Sequence, residues 1–516
     1  MKKILLASIL AIFAFNTKGQ GLFDALHYAD YGIAGSARYM SMAGSFGALG
    51  GEVCAALDNP AALGIFRSSE INISISLTPT ISTSMWQNNA AKNQKTYFGL
   101  NNLSWVFHIP SNKESGYLSS NLSFGYQKIK DFSRVTALQN NSRLSISISD
   151  YITGLTNGLY ESALESSNAY NNPEIGWLSI LGYNAYLINP VKDENNKHNG
   201  KWTSALDNGE KISPSYTSKE SGSISEYNFT YSGNINDIVY FGAGISLQSV
   251  SYLNISTYGE TFENGGGLLL DNTFSTSGTG INLKFGAIVR PTNFLRLGLG
   301  IITPSYYTMT DNQQYGTLQS KRFSDNNPPA SVPENNKTYY SFQSPLKMQA
   351  SIGFVFGKIS AVNFDYQFSN QNKMRFSGSY PDSYLYDNQY INDFAKSVHT
   401  LKAGIEFRLG KAVKLRGGFA YISAPVKEEA QKLLPFNSTR TDTEYFANQN
   451  YIYGSAGVGF VLGNNISLDF AYACNTQNQT FTPFAVNTKE IANYKDYQAS
   501  LKTVKHNFVA TFAVRY

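Results

Sequence analysis

Cysteine, histidine and charge are all scarce in this 516-residue chain, which has 2 Cys, 5 His and 15% charged residues, against about 25% charged in an ordinary globular protein. Cys54 and Cys474 stand far apart, which excludes a disulfide framework and any C-x-x-C site. His27, His108, His198, His399 and His506 are scattered, with no H-E-x-x-H spacing to hold zinc. A G-x-S-x-G nucleophile elbow is missing as well. Gly457-x-Gly459 lies on an alternating segment with no helix after it, so it gives no support to a nucleotide site. The sequence therefore points to no enzyme, no cofactor and no metal.

Long apolar runs are also missing. Beyond Phe15 none approaches the ~20 residues of a membrane-crossing helix. The largely apolar stretch Ile4–Phe15 follows Lys2-Lys3 and is too short to span a bilayer, which is the pattern of a cleaved signal peptide over residues 1–20. A small-residue break falls near Gly19-Gln20, without an A-x-A pattern, and no Cys stands there to make a lipoprotein. Removing residues 1–20 takes away Lys2, Lys3 and Lys18 and no acid, which lowers the formal net charge from +5 to +2. So small and dispersed an excess excludes a nucleic-acid partner.

What the chain does have is aromatic residues and glycine: 35 Tyr, 33 Phe and 43 Gly, at a mean hydropathy of −0.25. Aromatic-rich, charge-poor and modestly polar is the balance of strands with one face in lipid and the other in water. Period-two alternation bears this out. Ile71, Ile73, Ile75 and Leu77 interleave with Asn72, Ser74, Ser76 and Thr78, and Ile466, Leu468, Phe470 and Tyr472 with Ser467, Asp469, Ala471 and Ala473. About fourteen such segments follow one another, near 71–78, 100–109, 117–129, 223–233, 238–250, 278–290, 294–303, 345–357, 360–369, 397–409, 413–423, 451–463, 466–476 and 503–516.

Their connections alternate in length. Tight turns rich in Gly, Asn and Pro, such as Gly233–Asp237, Pro291–Asn293, Gly357-Lys358, Gly410–Ala412 and Gly463–Asn465, take turns with long polar links. Short periplasmic turns and long extracellular loops require this alternation. It predicts an all-β, transmembrane, antiparallel barrel of about fourteen strands over residues 69–516, in the outer membrane of a Gram-negative cell, with both ends periplasmic. The last strand ends on Phe508, Ala510, Phe512, Val514 and Tyr516 along one face. That ending is similar to the signal read by the barrel assembly machinery, an expected partner along with the lipid bilayer. A monomer is expected.

Residues 21–68 do not alternate. The small-residue run Ala34–Gly51 leads through Glu52–Asp58 to Asn59-Pro60-Ala61-Ala62. Small residues allow close packing, and a segment of this size before the first strand would fit inside the lumen as a plug. Here the sequence resembles the FadL/TodX family of outer-membrane transporters for long-chain fatty acids and other hydrophobic compounds. Asn59, Pro60 and Ala61 are similar to the start of that family's Asn-Pro-Ala-Gly hatch motif, from which Ala62 departs. Leu415–Tyr421 with Ala424-Pro425-Val426, and Gly457–Phe460 with Ser467–Tyr472, are similar to its late strands. The likeness is strongest over 30–70 and 410–475. It implies a fourteen-stranded barrel closed by an N-terminal hatch. A hydrophobic small molecule would be captured in an extracellular groove and leave sideways through the wall.

Two sets of candidate site residues follow. The insert 130–222 carries an apolar patch, Trp177, Leu178, Leu181, Tyr183 and Tyr186, which would capture the ligand or else pack over the barrel mouth. Charges of inward parity include Arg290, Arg296, Arg408 and Arg416. They would hold a ligand carboxylate or brace the barrel in an ion-pair lattice. Two other functions fit the same frame: a FadL-like, protein-handling barrel of a type IX-like secretion system, whose typical hatch opening differs from Ser36–Met40, and a structural or adhesive barrel.

Overall fold

The structure is a computed structural model that describes residues 19–29, 31–322, 328–379, 383–463, 465–486 and 494–516. Residues 1–18 of the expected signal peptide, and Asn464 of the last tight turn, lie outside the described residues. Fourteen staves close one antiparallel barrel. They are β1 (Glu70–Trp86), β2 (Asn89–Pro110), β3 (Tyr117–Asp131), β4 (Ile212–Ile235), β5 (Val239–Phe262), β6 (Gly267–Val289) and β7 (Leu295–Ile302). The second half is β8 (Lys347–Phe356), β9 (Ser360–Asn370), β10 (Ser397–Leu409), β11 (Val413–Ile422), β12 (Tyr445–Leu462), β13 (Ile466–Thr482) and β14 (Ala499–Arg515). Each stave pairs with its neighbours in sequence, and β1 closes on β14 with Ile71 opposite Val514 and Leu77 opposite Phe508. All fourteen segments read from alternation are staves. No helix among the described residues is long and apolar enough to cross a membrane.

The two faces obey the alternation. On β1, Ile73, Ile75 and Leu77 are exposed on the outer wall while Asn72, Ser74, Ser76 and Thr78 are buried inside. A lipid-facing methylene kept from water is worth about 0.8 kcal/mol, which sorts the residues, and a one-residue slip would invert every one of them. At the tight turn between β4 and β5, Asn236 and Asp237 both adopt left-handed φ, +54° and +55°, the geometry that suits a two-residue hairpin turn.

Several staves run further than their hydrophobic alternation. β4 begins at Ile212 rather than near 223, β5 continues to Phe262, and β6 begins at Gly267. Strands Tyr306–Ser320 and Asn336–Gln343 prolong β7 and β8 beyond Ile302 and Lys347. These extensions are rich in Ser, Thr, Gln and Tyr because above the lipid both faces meet water or loop, so nothing enforces an apolar side. The barrel wall thus enters both ends of the expected 130–222 insert: Arg134–Gln139 prolongs β3, and Ile212–Gly222 belongs to β4.

Inside the lumen lie α1 (Leu22–Ala29), α2 (Ala37–Ser41) and two 3-10 turns, Val53–Leu57 and Pro60–Ile65. Ala37, Met42, Phe46, Ala48 and Leu63 are completely buried there. The loop above carries α3 (Ile148–Thr156), α4 (Glu161–Leu164) and α5 (Trp177–Asn184), and the loop between β9 and β10 carries α6 (Leu385–Phe394).

Candidate functional site: the lumen and its wall

The Asn-Pro-Ala stretch is a knot between the inner segment and the wall. Asn59 Oδ1 accepts from Ala61 N at 3.1 Å, capping the turn that Pro60 starts. Its Nδ2 donates to Gly47 O at 2.7 Å and to Ala287 O on β6 at 3.3 Å. The wall has no room for a side chain at that point: a Cβ on Gly286 would stand 1.9 Å from Asn59 Oδ1. Small wall residues are thus the counterpart of the small-residue run they enclose.

Charge fixes the same contact. Glu406 on β10 receives Arg38 of α2 at 3.0 Å and Arg416 of β11 at 2.8 Å, and Arg416 also reaches Asp469 of β13 at 2.5 Å. Lys402 meets Asp58 at 2.8 Å, and although burial opposes it, the Lys402 ammonium holds the Asp58 carboxyl below its ordinary range. Of the four arginines singled out by parity, Arg416 is buried in this lattice and Arg296 donates to Leu49 O at 2.5 Å. Arg290 lies at the short-turn end, donating to Asn293 at 2.6 Å, and Arg408 is exposed at that same rim. The structure does not bring the four together.

Nor does it gather the loop patch around a lumen opening. Trp177, Leu178 and Leu181 are buried with Ile148, Ile152 and Trp202 in a core that the loop shares with the upper wall, through Trp86, Leu270, Leu318 and Phe481. Tyr183 rests edge-on against Trp202 and donates to Glu165 at 2.7 Å, while Tyr186 is exposed. The loop packs over the barrel mouth and shares its apolar core with the wall.

A cavity of about 260 Å³ lies elsewhere, between α1 and the wall. Phe23, Leu26, His27 and Tyr28 form its plug side; Lys128, Phe132, Arg134, Tyr252 and Lys505 are on its wall side. The His27 ring stacks on Phe132 at 4.6 Å, and burial pushes its pKa well below the ordinary range, so the imidazole is neutral. The cavity is amphipathic, with aromatic rings on one side and cations on the other. A second cavity of about 110 Å³ lies beyond the linker, and Tyr31, Gly32, Ile33 and Ala34 border both.

The wall beside the larger cavity is incomplete. β2 and β3 pair from Pro110–Ser119 up to Asn102–Gln127, and there the pairing ends. Above that rung β2 remains bonded to β1 as far as Asn89, while β3 bulges between Lys128 and Lys130 and its continuation bonds only to β4. Bulges bend a strand and leave its ladder open. Side chains bridge the interval instead: Lys128 Nζ lies 3.7 Å from the centre of the Tyr97 ring, and Lys95 Nζ donates to Glu220 O at 2.6 Å. Higher up, Ser84 Oγ donates to Ala137 O at 2.5 Å and Asn141 to Asn89 at 3.0 Å. The result is a window in the ladder, flanked by lysines and backed by the cavity. Sequence reasoning did not find it. The one local sign is that Gln127 and Lys128 are consecutive yet both buried, a break in alternation that only the register makes visible.

A closed, fourteen-stranded transmembrane β-barrel, filled by its own N-terminal segment and open along one seam, defines the class of this protein. Its fold is of the FadL/TodX type. A FadL homologue of Pseudomonas aeruginosa superposes with a TM-score of 0.50 at 11% identity, covering 96% of this chain and 99% of that one. The toluene transporter TbuX of Ralstonia pickettii gives 0.46 at 14% identity over 94% and 99%. The toluene transporter TodX of Pseudomonas putida gives 0.46 at 11% over 96% and 99%. No protein-family model and no curated protein matches the chain.

Proposed function

We propose that this protein is an outer-membrane transporter for the uptake of hydrophobic small molecules, long-chain fatty acids among them, which it releases sideways through the window between β2 and β3. The observation that carries this reading is the end of main-chain pairing at Asn102–Gln127, directly beside the amphipathic cavity. A ladder left open at the upper part of the wall needs a reason, since an unpaired strand edge leaves main-chain N–H and C=O groups without partners. Cargo supplies one: returning an acyl chain to water costs about 0.8 kcal/mol per methylene, and a side exit into the bilayer avoids that cost. Residues 21–68 act as a hatch that bars the straight route, held by the Asn59 knot and the Glu406 lattice. The extracellular loops make the first capture, with Tyr186 on their outer surface and Tyr183 half-buried beside it. The fold likeness to the FadL homologue supports outer-membrane placement.

A disulfide clamp tests it. Asn101→Cys with Lys128→Cys occupies the first positions above the last paired rung. Oxidised, the clamp is expected to stop uptake of a labelled fatty acid, and reduction to restore it. Equal uptake in the two redox states would remove the side exit from the reading.

A further inference from the structure

Gln20, two residues ahead of α1, is 0% exposed. Its amide donates to Asp311 Oδ2 at 2.9 Å and accepts from Tyr384 at 3.0 Å. Next to it Gly21 N donates to Asp24 Oδ2 at 2.9 Å. The slot around these atoms is acidic. Asp24, Asp311, Asp442 and Glu444 are gathered there with two cations, Arg440 and Lys432. Arg440 is taken by Asp24 at 2.8 Å and Asp442 at 2.6 Å, and Lys432 by Asp442 at 2.6 Å. Among the described residues, the hydrogen-bond donors to Asp311 are neutral, namely Gln20, Thr276 and Tyr340, while Arg440 acts on it from further off. A buried carboxylate not directly paired with a cation is costly, and this one holds the side chain of Gln20, the last residue of the expected leader.

Cleavage of an exported leader needs small residues at the first and third positions before the bond. A cut after Gln20 would place Gln20 and Lys18 there, which are not small. A cut after Gly19 places Gly19 and Thr17, and a cut after Gly21 places Gly21 and Gly19. Only the cut after Gly19 satisfies the rule and keeps Gln20, whose side chain makes both buried hydrogen bonds. We propose that the exported chain is hydrolysed between Gly19 and Gln20, and that the ammonium created on Gln20 is held in the lumen as the third cation of this slot. Water adds to the Gly19 carbonyl carbon and the C–N bond breaks. Gly19 departs as the carboxylate of the released leader, and the Gln20 nitrogen takes up protons as an ammonium. The catalyst is a leader peptidase of the exporting membrane. Anchoring the terminus would hold α1 against the cavity, since Arg440 already ties α1 to the loop through Asp24 and Asp442.

The test does not depend on transport. Intact mass and N-terminal sequencing of the barrel purified from outer membranes are expected to give residues 20–516, beginning Gln-Gly-Leu-Phe with an unmodified amine. Any other first residue overturns the proposal. So does cyclised Gln20, which has neither the ammonium nor the free amide. In the folded barrel, an amine-reactive label should reach the terminus at least tenfold more slowly than after unfolding. Asp311→Asn, in protein still running as a folded barrel on unheated gels, should remove most of that protection. A terminus labelled freely in the wild type, or protected equally in the variant, would show that Asp311 does not hold it.

Discussion

Lys128 and Tyr97 face each other across an open seam: the ammonium lies 3.7 Å from the ring centre where β2 and β3 have ceased to pair. A cation–π contact of this kind contributes about 0.5–2 kcal/mol, and Lys95 adds a hydrogen bond to Glu220 O from the same side. Together they close by side chains what the main chain leaves open. Replacing both, Lys95→Met and Lys128→Met, keeps the bulk and removes the bonds. Uptake of a fatty-acid tracer should rise severalfold, because 1.4 kcal/mol is about tenfold in an opening equilibrium. Reduced uptake in a correctly assembled variant would mean that the lysines bind cargo rather than bar its path.

The Glu406 lattice makes a prediction about assembly. Arg38, Arg416 and Asp469 converge with Glu406 between hatch and wall, and Glu406 is 6% exposed. Removing one member of a buried network strands the others and typically costs about 3–5 kcal/mol. Glu406→Leu should therefore lower, by ten degrees or more, the temperature at which the folded band converts to the unfolded one on gels. Arg408→Ala, an exposed rim residue of the same stave, should leave that temperature unchanged.

Gly286 offers a cleaner probe of the hatch. Its Cα sits against Asn59, and an added methyl would meet Asn59 Oδ1 at 1.9 Å. Gly286→Ala should push the Asn59-Pro60-Ala61 turn off the wall while the outer face of β6 stays as it was. Small polar antibiotics normally excluded by the outer membrane should then enter faster in cells carrying this variant. Unchanged sensitivity, with a normal level of folded barrel, would mean that the hatch absorbs the methyl without opening.

How much of this could be read from the chain follows from what each feature depends on. Staves were legible because lipid on one side imposes a strict period of two on residues such as Ile73, Ile75 and Leu77. Their extracellular extensions were not, because Ser213–Ser221 on β4 answers to no lipid. The window was hidden for a different reason. It is a property of the relation between Asn102 and Gln127, and no pattern within either strand records a missing partner. The cavity joins Phe23, Lys128, Arg134 and Lys505, which are brought together only by closure of the barrel. The Trp177–Tyr186 patch was visible as apolar, but a one-dimensional pattern does not distinguish a core shared between loop and wall from a surface that meets a ligand.

That shared core gives a stability prediction. Leu178 is 2% exposed among Ile148, Ile152 and Leu181. Truncating a buried leucine costs about 2–5 kcal/mol. Leu178→Ala should make the segment between Gln139 and Ile212 sensitive to limited proteolysis in intact cells, while the barrel keeps its heat-resistant mobility. Tyr186→Ser removes only exposed surface and should leave proteolysis unchanged. A fall in tracer uptake at low concentration in Tyr186→Ser alone would then place capture on that surface.

The loop between β9 and β10 should respond to pH. Burial raises the Asp387 carboxyl on α6 to about 7, and the nearby Asp24 of α1 adds repulsion. Because the folded value lies above the ordinary carboxylate value, the charged form opposes folding of this region. The penalty is absent below about pH 4, where the carboxyl is protonated folded or unfolded, and grows until it is complete above about pH 7. Helix α6 should therefore resist proteolysis better at pH 5 than at pH 8, with rates normalised to an unstructured peptide at each pH. Asp387→Asn should abolish the difference by protecting the loop at pH 8 while changing little at pH 5. If the variant instead weakens the loop equally at both pH values, its carboxylate is making a favourable contact, and the sign of the effect is reversed.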